Sequence, residues 1–135
     1  MDAQPKIKPR LERLAAPSLP PEERLCLVVA AKSTEYVENT LPMRHKLYLL
    51  ALTETSVFVL EMGDRPLSVV AAYPLGAVPI GAVQQKRWSI WTEFKLQLPG
   101  QAEPVALKAE RTSRTDLEYL VAQAATGPAP TSPII

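Results

Sequence analysis

Few side chains in this sequence have the chemistry that catalysis or metal binding requires. The 135 residues include one histidine, His45, and one cysteine, Cys26. No glycine-rich phosphate loop is present, and no group of His, Cys and acidic residues has the spacing of a zinc site. Acid–base and nucleophilic catalysis both need a base held beside a reactive group. The sequence therefore predicts a binding protein without catalytic residues, metal or cofactor.

The lone histidine and the lone cysteine each have two interpretations. His45 lies between Arg44 and Lys46 where a polar loop meets a strand, which favours a surface hydrogen-bonding residue over a general base or metal ligand. Cys26 lies in an apolar run and is interpreted as a small buried hydrophobe rather than a reactive thiol. One cysteine forms no intrachain disulfide, and the N-terminus has no apolar secretory signal. A cytoplasmic location is expected, with peripheral attachment to the inner membrane face as the alternative.

Basic residues form a first candidate site, for an anion. Lys32 ends the first predicted strand, and Arg44, His45 and Lys46 lead into the second. If these strands pair antiparallel, the four side chains meet at one end of the sheet, where an anionic lipid headgroup could bind. The alternative is that these charges only keep the strand ends in water. The net charge of +1 is too small for a sequence-independent nucleic-acid binder, so no nucleic-acid partner is expected.

Aromatic residues form a second candidate site, for a protein or peptide. Trp88 and Trp91 flank a Ser-Ile pair close to Arg87, and Tyr73 precedes them in the chain. In a strand or tight turn the two indole rings point in different directions, so one of them is expected to be exposed. Exposed Trp beside Arg is typical of interface anchors. The alternative is that both rings fill the core or cover the mouth of the barrel.

The apolar pattern predicts a chain made mainly of strands. The first run, over residues 25–32, is apolar on both alternating faces, which is typical of a buried strand. Later runs are separated by turn residues, and Pro99-Gly100 fits the centre of a type II turn. Residues 33–45 are interpreted as a polar loop and 75–81 as an irregular crossing segment. The predicted strands cover residues 25–32, 46–53, 56–62, 67–73, 82–88, 94–98 and 105–109.

One amphipathic helix is predicted after the last strand. Its apolar stripe has the i, i+3, i+4, i+7 spacing and consists of Leu117, Leu120, Val121 and Ala124. Thr115 and Glu118 have the spacing of a capping box, with Gly127 beyond the end. The fold class that follows is mainly β, with seven antiparallel strands in a barrel or sandwich closed by a C-terminal helix.

Proline divides the chain into one domain and two tails. Eight of the fourteen prolines lie in residues 1–23 or 127–135, where they favour extended conformations. The domain is therefore assigned to residues 24–126. Within the N-terminal tail, Leu11 and Leu14 share one face of a possible helical turn, which could dock on the domain or bind a partner.

Several runs together resemble bacterial pleckstrin-homology-like and GRAM-like domains over residues 25–126. The resemblance rests on Leu52-Thr53, Val57-Phe58-Val59-Leu60, Tyr73-Pro74-Leu75-Gly76-Ala77-Val78 and Lys95-Leu96-Gln97-Leu98, followed by the helix. It implies a non-enzymatic adaptor that binds a protein, a peptide or a phospholipid headgroup. Lys32, Arg44 and Lys46 take the places of the basic residues that hold phosphoinositides in such domains, although Lys46 replaces the usual arginine. A further possibility is an enzyme subunit that lacks its own active site.

Overall fold

The structure, a computed structural model, describes residues 6–36, 45–62, 67–85 and 87–126. In these ranges the chain forms one antiparallel sheet and two α-helices. The strands are β1 Leu25–Tyr36, β2 His45–Thr53, β3 Ser56–Met62, β4 Ser68–Pro74, β5 Gln84–Gln85, β6 Trp91–Leu96 and β7 Val105–Glu110. The helices are α1 Pro9–Ala15 and α2 Arg114–Thr126, and 3-10 turns cover Ala16–Ser18 and Arg111–Ser113. No helix within the described ranges is long and apolar enough to span a membrane.

The sheet has seven strands in the order β4-β3-β2-β1-β7-β6-β5. Strand β1 is the longest and joins two hairpin systems: it pairs with β2 from Leu25 to Tyr36, with a register shift after Lys32, and on its other side Lys32 and Ser33 pair with β7. The predicted mainly β class with a C-terminal helix is therefore confirmed. The order brings the far end of β1 beside the last hairpin, β6–β7, which is far from it in sequence.

Strands β1, β2 and β3 are buried on both faces, which explains their nearly continuous apolar runs. Along β2, Tyr48, Leu50 and Leu52 point to one face, and Leu49 and Ala51 point to the other. The first set belongs to the inner cluster, which also contains Phe94, Leu96 and Leu107. The second set belongs to the outer cluster, which also contains Val28, Phe58 and Leu60. A separate element must therefore pack against each face of the sheet to bury its apolar side chains.

Residues 6–23, the described part of the predicted N-terminal tail, cover the outer cluster instead of extending away from the domain. Pro9 occupies the first turn of α1, where a missing N–H costs nothing. Ala15 is fully buried against the outer cluster, and Leu11 packs beside it while Leu14 remains partly exposed. Helix α1 is too short to be stable alone, so burial against the sheet is what keeps it folded.

Helix α2 covers the inner cluster, as its apolar stripe predicts. Leu117, Leu120 and Ala124 are buried there, and Val121 packs at the edge. The predicted capping box is wrong: α2 begins at Arg114, directly after the 3-10 turn, so Thr115 lies inside the helix. The Glu118 carboxylate instead accepts a hydrogen bond from Arg114 Nε at 2.7 Å.

The sheet does not close, so the barrel form of the prediction is wrong. Within the described ranges no ladder joins the edge strands β4 and β5. The segment after β4 instead crosses to β6, where Ile80 forms an isolated bridge with Leu96. At the same edge the Tyr73 hydroxyl donates a hydrogen bond to the Gln97 carbonyl at 2.6 Å. The two ends of the sheet approach each other through these contacts, but no continuous strand pairing closes a barrel.

Three strand predictions differ from the structure by more than one residue at an end, and one of them, the strand expected over 94–98, is β6 at Trp91–Leu96. Strand β1 continues to Tyr36, so the loop expected over 33–45 begins later, and residues 37–44 lie outside the described ranges. The strand expected over 82–88 is reduced to Gln84–Gln85, because the chain then turns at Arg87 and Trp88. The predicted type II turn is present, with Gly100 at φ 80° and the Gln101 N–H donating to the Leu98 carbonyl.

Candidate functional site

Two lysines converge on the ring of Trp91. Lys32 lies opposite Lys108 in the β1–β7 register, and Trp91 lies opposite Glu110 in the β6–β7 register. The Lys32 and Lys108 ammonium nitrogens lie 4.1 and 4.8 Å from the ring centre. A cation at this distance from an indole is attracted by the ring quadrupole. Trp91 is half-buried, and both lysines are also only partly exposed.

These three residues line one wall of a groove that we call the basic groove. It has a volume of about 380 Å³ and runs between α1, β1 and β7. Lys8 and Arg10 stand at its α1 side, so four cationic side chains surround it, against one lining carboxylate, Glu110. Its apolar lining comes from Leu11, Ala30, Leu47 and the Trp91 ring. The groove can therefore attract an anionic group and also contact apolar atoms beside it.

The turn between β5 and β6 carries a second exposed feature, which we call the apolar tip: Arg87, Trp88 and Ile90. Trp88 is 87% exposed and Ile90 is 70% exposed, more than any other large apolar side chain in the described ranges. The Arg87 guanidinium lies 5.3 Å from the centre of the Trp88 ring. Trp88 also has a φ of 72°, a left-handed conformation that bulky residues rarely adopt. The interpretation that both tryptophans fill the core is wrong.

Hydrogen bonds hold the turn that carries the apolar tip. The Gln85 amide nitrogen donates to the carbonyls of Ser89 and Trp91 at 3.0 and 3.2 Å, and its amide oxygen accepts from the buried Thr92 hydroxyl at 2.5 Å. The Trp91 N–H donates to Ser89 Oγ at 3.0 Å. The Ile90 carbonyl accepts from the Arg111 N–H at 2.8 Å, which ties the turn to the end of β7. The apolar tip is therefore presented by a fixed turn.

The structure does not bring Lys32 and Lys46 together. Lys32 lies opposite Leu47 in the β1–β2 register, so Lys46, the next residue along β2, points to the other face of the sheet. There its ammonium forms an ion pair with Glu61 at 3.4 Å. The remaining members of the predicted anion cluster, Arg44 and the side chain of His45, lie outside the described part of the structure. Lys32 instead belongs to the basic groove.

Tyr73 lies apart from Trp88 and Trp91, the residues with which it forms the predicted protein-binding site. Its ring packs against the inner cluster, and its hydroxyl bonds to Gln97 at the β4 edge. Burial raises the pKa of the Tyr73 phenol above its ordinary value. The residue therefore has a structural role at the open side of the sheet.

Cys26 is half-buried at the edge of the inner cluster. Burial raises the pKa of its thiol above the ordinary value; nearby Glu54 also raises it, while Arg24 lowers it. At neutral pH this environment disfavours the thiolate, the nucleophilic form. The structure thus agrees with the interpretation of a packing residue, although the side chain is less buried than its apolar neighbours suggested.

Sequence reasoning missed three of the four cations of the basic groove, Lys8, Arg10 and Lys108, and also missed Ile90 of the apolar tip. Lys8 and Arg10 lie in the segment that was predicted to be an N-terminal tail. The alternating pattern placed Lys108 on the solvent-exposed face of a regular strand. Only the pairing of β1 with β7 and the docking of α1 bring these charges together. A signal for the tip was present, because Ser89-Ile90 between two tryptophans interrupts the strand pattern.

The described residues contain no group of three or more His, Cys, Asp or Glu side chains arranged to hold a metal ion. The basic groove and the apolar tip are thus the two features with a chemistry suited to recognition. Comparison with known proteins identifies no relationship: no family model, no curated protein and no solved structure matches this chain.

Proposed function

We propose that this chain is a non-catalytic, pleckstrin-homology-like adaptor module that binds a protein or peptide through its apolar tip. The observation that carries the proposal is the 87% exposure of Trp88 on a turn that hydrogen bonds hold in place. An exposed indole ring gains free energy when a partner covers it, and Trp is among the residues that dominate interface energetics.

The fixed turn strengthens the argument. A side chain that is already positioned loses little conformational entropy on binding, so more of the contact energy appears as affinity. The left-handed φ of Trp88 supports the same interpretation, because strained backbone conformations often occur at functional sites. Arg87 stacks on the ring and adds a charged donor for a partner carbonyl or carboxylate.

The fold supports the proposal of a pleckstrin-homology-like module. A single antiparallel sheet surrounds an apolar core, and a C-terminal helix covers that core, as the sequence resemblance implies.

A second candidate function, peripheral membrane binding, is favoured by the composition of the same tip. Trp and Ile suit the interface between headgroups and acyl chains, and a neighbouring Arg suits anionic headgroups. The lysines of the basic groove add a further attraction to an anionic surface.

Quantitative affinity capture tests the protein-binding function. The wild-type chain, Trp88→Ala and the control Val69→Ala, which shortens an exposed side chain on β4, are immobilised and exposed to a lysate of the producing organism. A protein that the wild type and control retain is then identified, purified and titrated by calorimetry. We expect Trp88→Ala to weaken that binding by about thirtyfold, the usual effect of losing an anchor worth about 2 kcal/mol. Equal affinity for all three chains would reject the proposal.

Vesicle sedimentation separates the membrane candidate from the protein candidate. Phosphatidylcholine vesicles are compared with vesicles that also contain phosphatidylserine. Sedimentation of the wild type with the anionic vesicles, lost in Trp88→Ala and kept in Val69→Ala, would favour the membrane function. Absence of sedimentation together with Trp88-dependent capture favours the adaptor.

A further inference from the structure

The basic groove carries an excess of positive charge that the described part of the protein leaves uncompensated. Lys8, Arg10, Lys32 and Lys108 line it, and Glu110 is the lining carboxylate. Lys8 lies directly before α1, Arg10 lies in α1, and the other two cations lie on β1 and β7, so the tertiary fold, rather than one basic stretch of sequence, assembles these charges. Glu93, opposite Lys108 in the β6–β7 register, is a second nearby acidic residue, and it is half-buried.

Lys32 and Lys108 are the central pair. Both ammonium groups approach the same Trp91 ring, at 4.1 and 4.8 Å from its centre, so one ring holds two positive charges. Within the described ranges, neither forms an ion pair with a carboxylate, whereas Lys46 pairs with Glu61 and Arg114 with Glu118. Two like charges held together repel, and an anion between them would remove that repulsion.

The size and lining of the groove indicate the kind of ligand. Its volume of about 380 Å³ is within the range of small-molecule sites, which is roughly 300–1,000 Å³. The charged donors surround an apolar floor of Leu11, Leu47 and the Trp91 ring. A ligand with a compact dianionic group and a small apolar part matches this arrangement.

We propose that the basic groove binds a phosphomonoester dianion carried on a small molecule, with Lys32 and Lys108 as its central ligands and Lys8 and Arg10 closing over it from α1. A dianion neutralises the central lysine pair, and its three terminal oxygens can accept hydrogen bonds from several cations at once. The site shares only Lys32 with the Lys32, Arg44 and Lys46 cluster that the sequence resemblance implies. It also contains no residue of the apolar tip, so it stands independently of the proposed adaptor function.

Inorganic phosphate is the direct probe, and Trp91 reports its binding. In a Trp88→Phe background Trp91 is the remaining tryptophan, so its fluorescence follows the movement of the two ammonium groups from the ring to the ligand. Phosphate is titrated against acetate at matched ionic strength, and ¹H–¹⁵N spectra record the amides of Lys32 and Lys108. We expect saturable changes with phosphate and much weaker ones with the monoanion acetate.

Charge variants locate the site. Lys32→Gln and Lys108→Gln should each weaken phosphate binding by about tenfold or more, since each removes a charged hydrogen bond. The control Lys95→Gln removes the same charge from an exposed position on β6 outside the groove, and should change binding by less than about twofold. Circular dichroism and urea midpoints verify that all variants remain folded.

The remaining outcomes separate the sources of the phosphate group. A phosphoserine peptide and vesicles containing phosphatidic acid are tested on the same variants. Free phosphate that binds at least as tightly as the peptide or the vesicles supports a small-molecule ligand, whereas much tighter binding of either macromolecular carrier would overturn that part of the proposal. Equal weakening by Lys95→Gln, equal responses to phosphate and acetate, or vesicle binding without any response to free phosphate would each overturn it.

Discussion

The ammonium nitrogen of Lys32 lies 4.1 Å from the centre of the Trp91 ring, although strand β7 separates the strands that carry these residues. The contact crosses β7 at Lys108, which lies opposite Lys32 and itself approaches the ring. Three strands therefore contribute one side chain each to a single wall of the basic groove. A groove assembled in this way depends on the register of β1 against β7.

The hydrogen bond between Thr92 and Gln85 is expected to support the apolar tip. Thr92 is fully buried, and its hydroxyl donates to the Gln85 amide oxygen at 2.5 Å. Thr92→Val removes the donor at nearly constant volume and should lower the unfolding free energy by about 0.5–1.5 kcal/mol, because one hydrogen bond of the buried Thr92 hydroxyl is lost. Urea denaturation measures this change. Thr112→Val, at an exposed position after β7, is the matched control and should have little effect.

Replacing Trp88 by glycine is expected to separate stability from binding. Trp88 has a φ of 72° and buries little of its side chain. Its backbone conformation is therefore strained, and its side chain makes few contacts that stabilise the folded state. Glycine removes a left-handed penalty of about 1–2 kcal/mol but adds unfolded-state entropy of about 0.5–1 kcal/mol. The unfolding free energy of Trp88→Gly should therefore be unchanged or up to about 1.5 kcal/mol higher, while partner capture is lost. A marked drop in the thermal midpoint contradicts this account of the turn.

Docking of α1 can be tested at two adjacent alanines. Ala15 is fully buried against the outer cluster, whereas Ala16 is exposed. Ala15→Lys forces a charge into that contact and should lower the unfolding free energy by about 2 kcal/mol or more, or release α1 from the sheet. Ala16→Lys makes the same chemical change in solvent and should be nearly neutral. Urea denaturation, together with hydrogen exchange of β2 amides, distinguishes the two; similar results for both variants would mean that α1 does not cover the sheet.

Two tyrosines predict how stability depends on alkaline pH. Burial raises the pKa of Tyr48 and of Tyr73 above the ordinary value of 10.0; at Tyr48, Lys46 opposes the shift and Glu61 adds to it. The unfolded chain therefore ionises first, so the stabilisation is complete below about pH 10 and is lost as pH rises through the folded-state pKa values. The urea midpoint should fall between about pH 9 and pH 11, and it should fall less in the Tyr48→Phe, Tyr73→Phe double variant. An equal fall in both proteins would exclude these phenols as the cause.

The strands and the last helix were predictable because their signals are local. The predicted bounds of β3, residues 56–62, agree with the structure, since Glu54-Thr55 marks the turn before it. The stripe of Leu117, Leu120 and Ala124 likewise indicates the buried face of α2 without knowledge of its partner. The strand predicted over 82–88 was too long, because nothing in the apolar pattern marks Trp88 as a residue with positive φ, and the strand that forms is Gln84–Gln85.

The sequence alone determined that the first strand is apolar on both alternating faces, which in a folded protein two covering layers must bury. Only the tertiary structure decided that one of those layers is α1, because a helix of seven residues has no stability to signal its presence outside that contact. The same distinction applies to the basic groove. The charges of Lys8, Arg10, Lys32 and Lys108 are visible in the sequence, but their convergence depends on strand order and helix docking, which are set by burial of the whole core rather than by local residue preference.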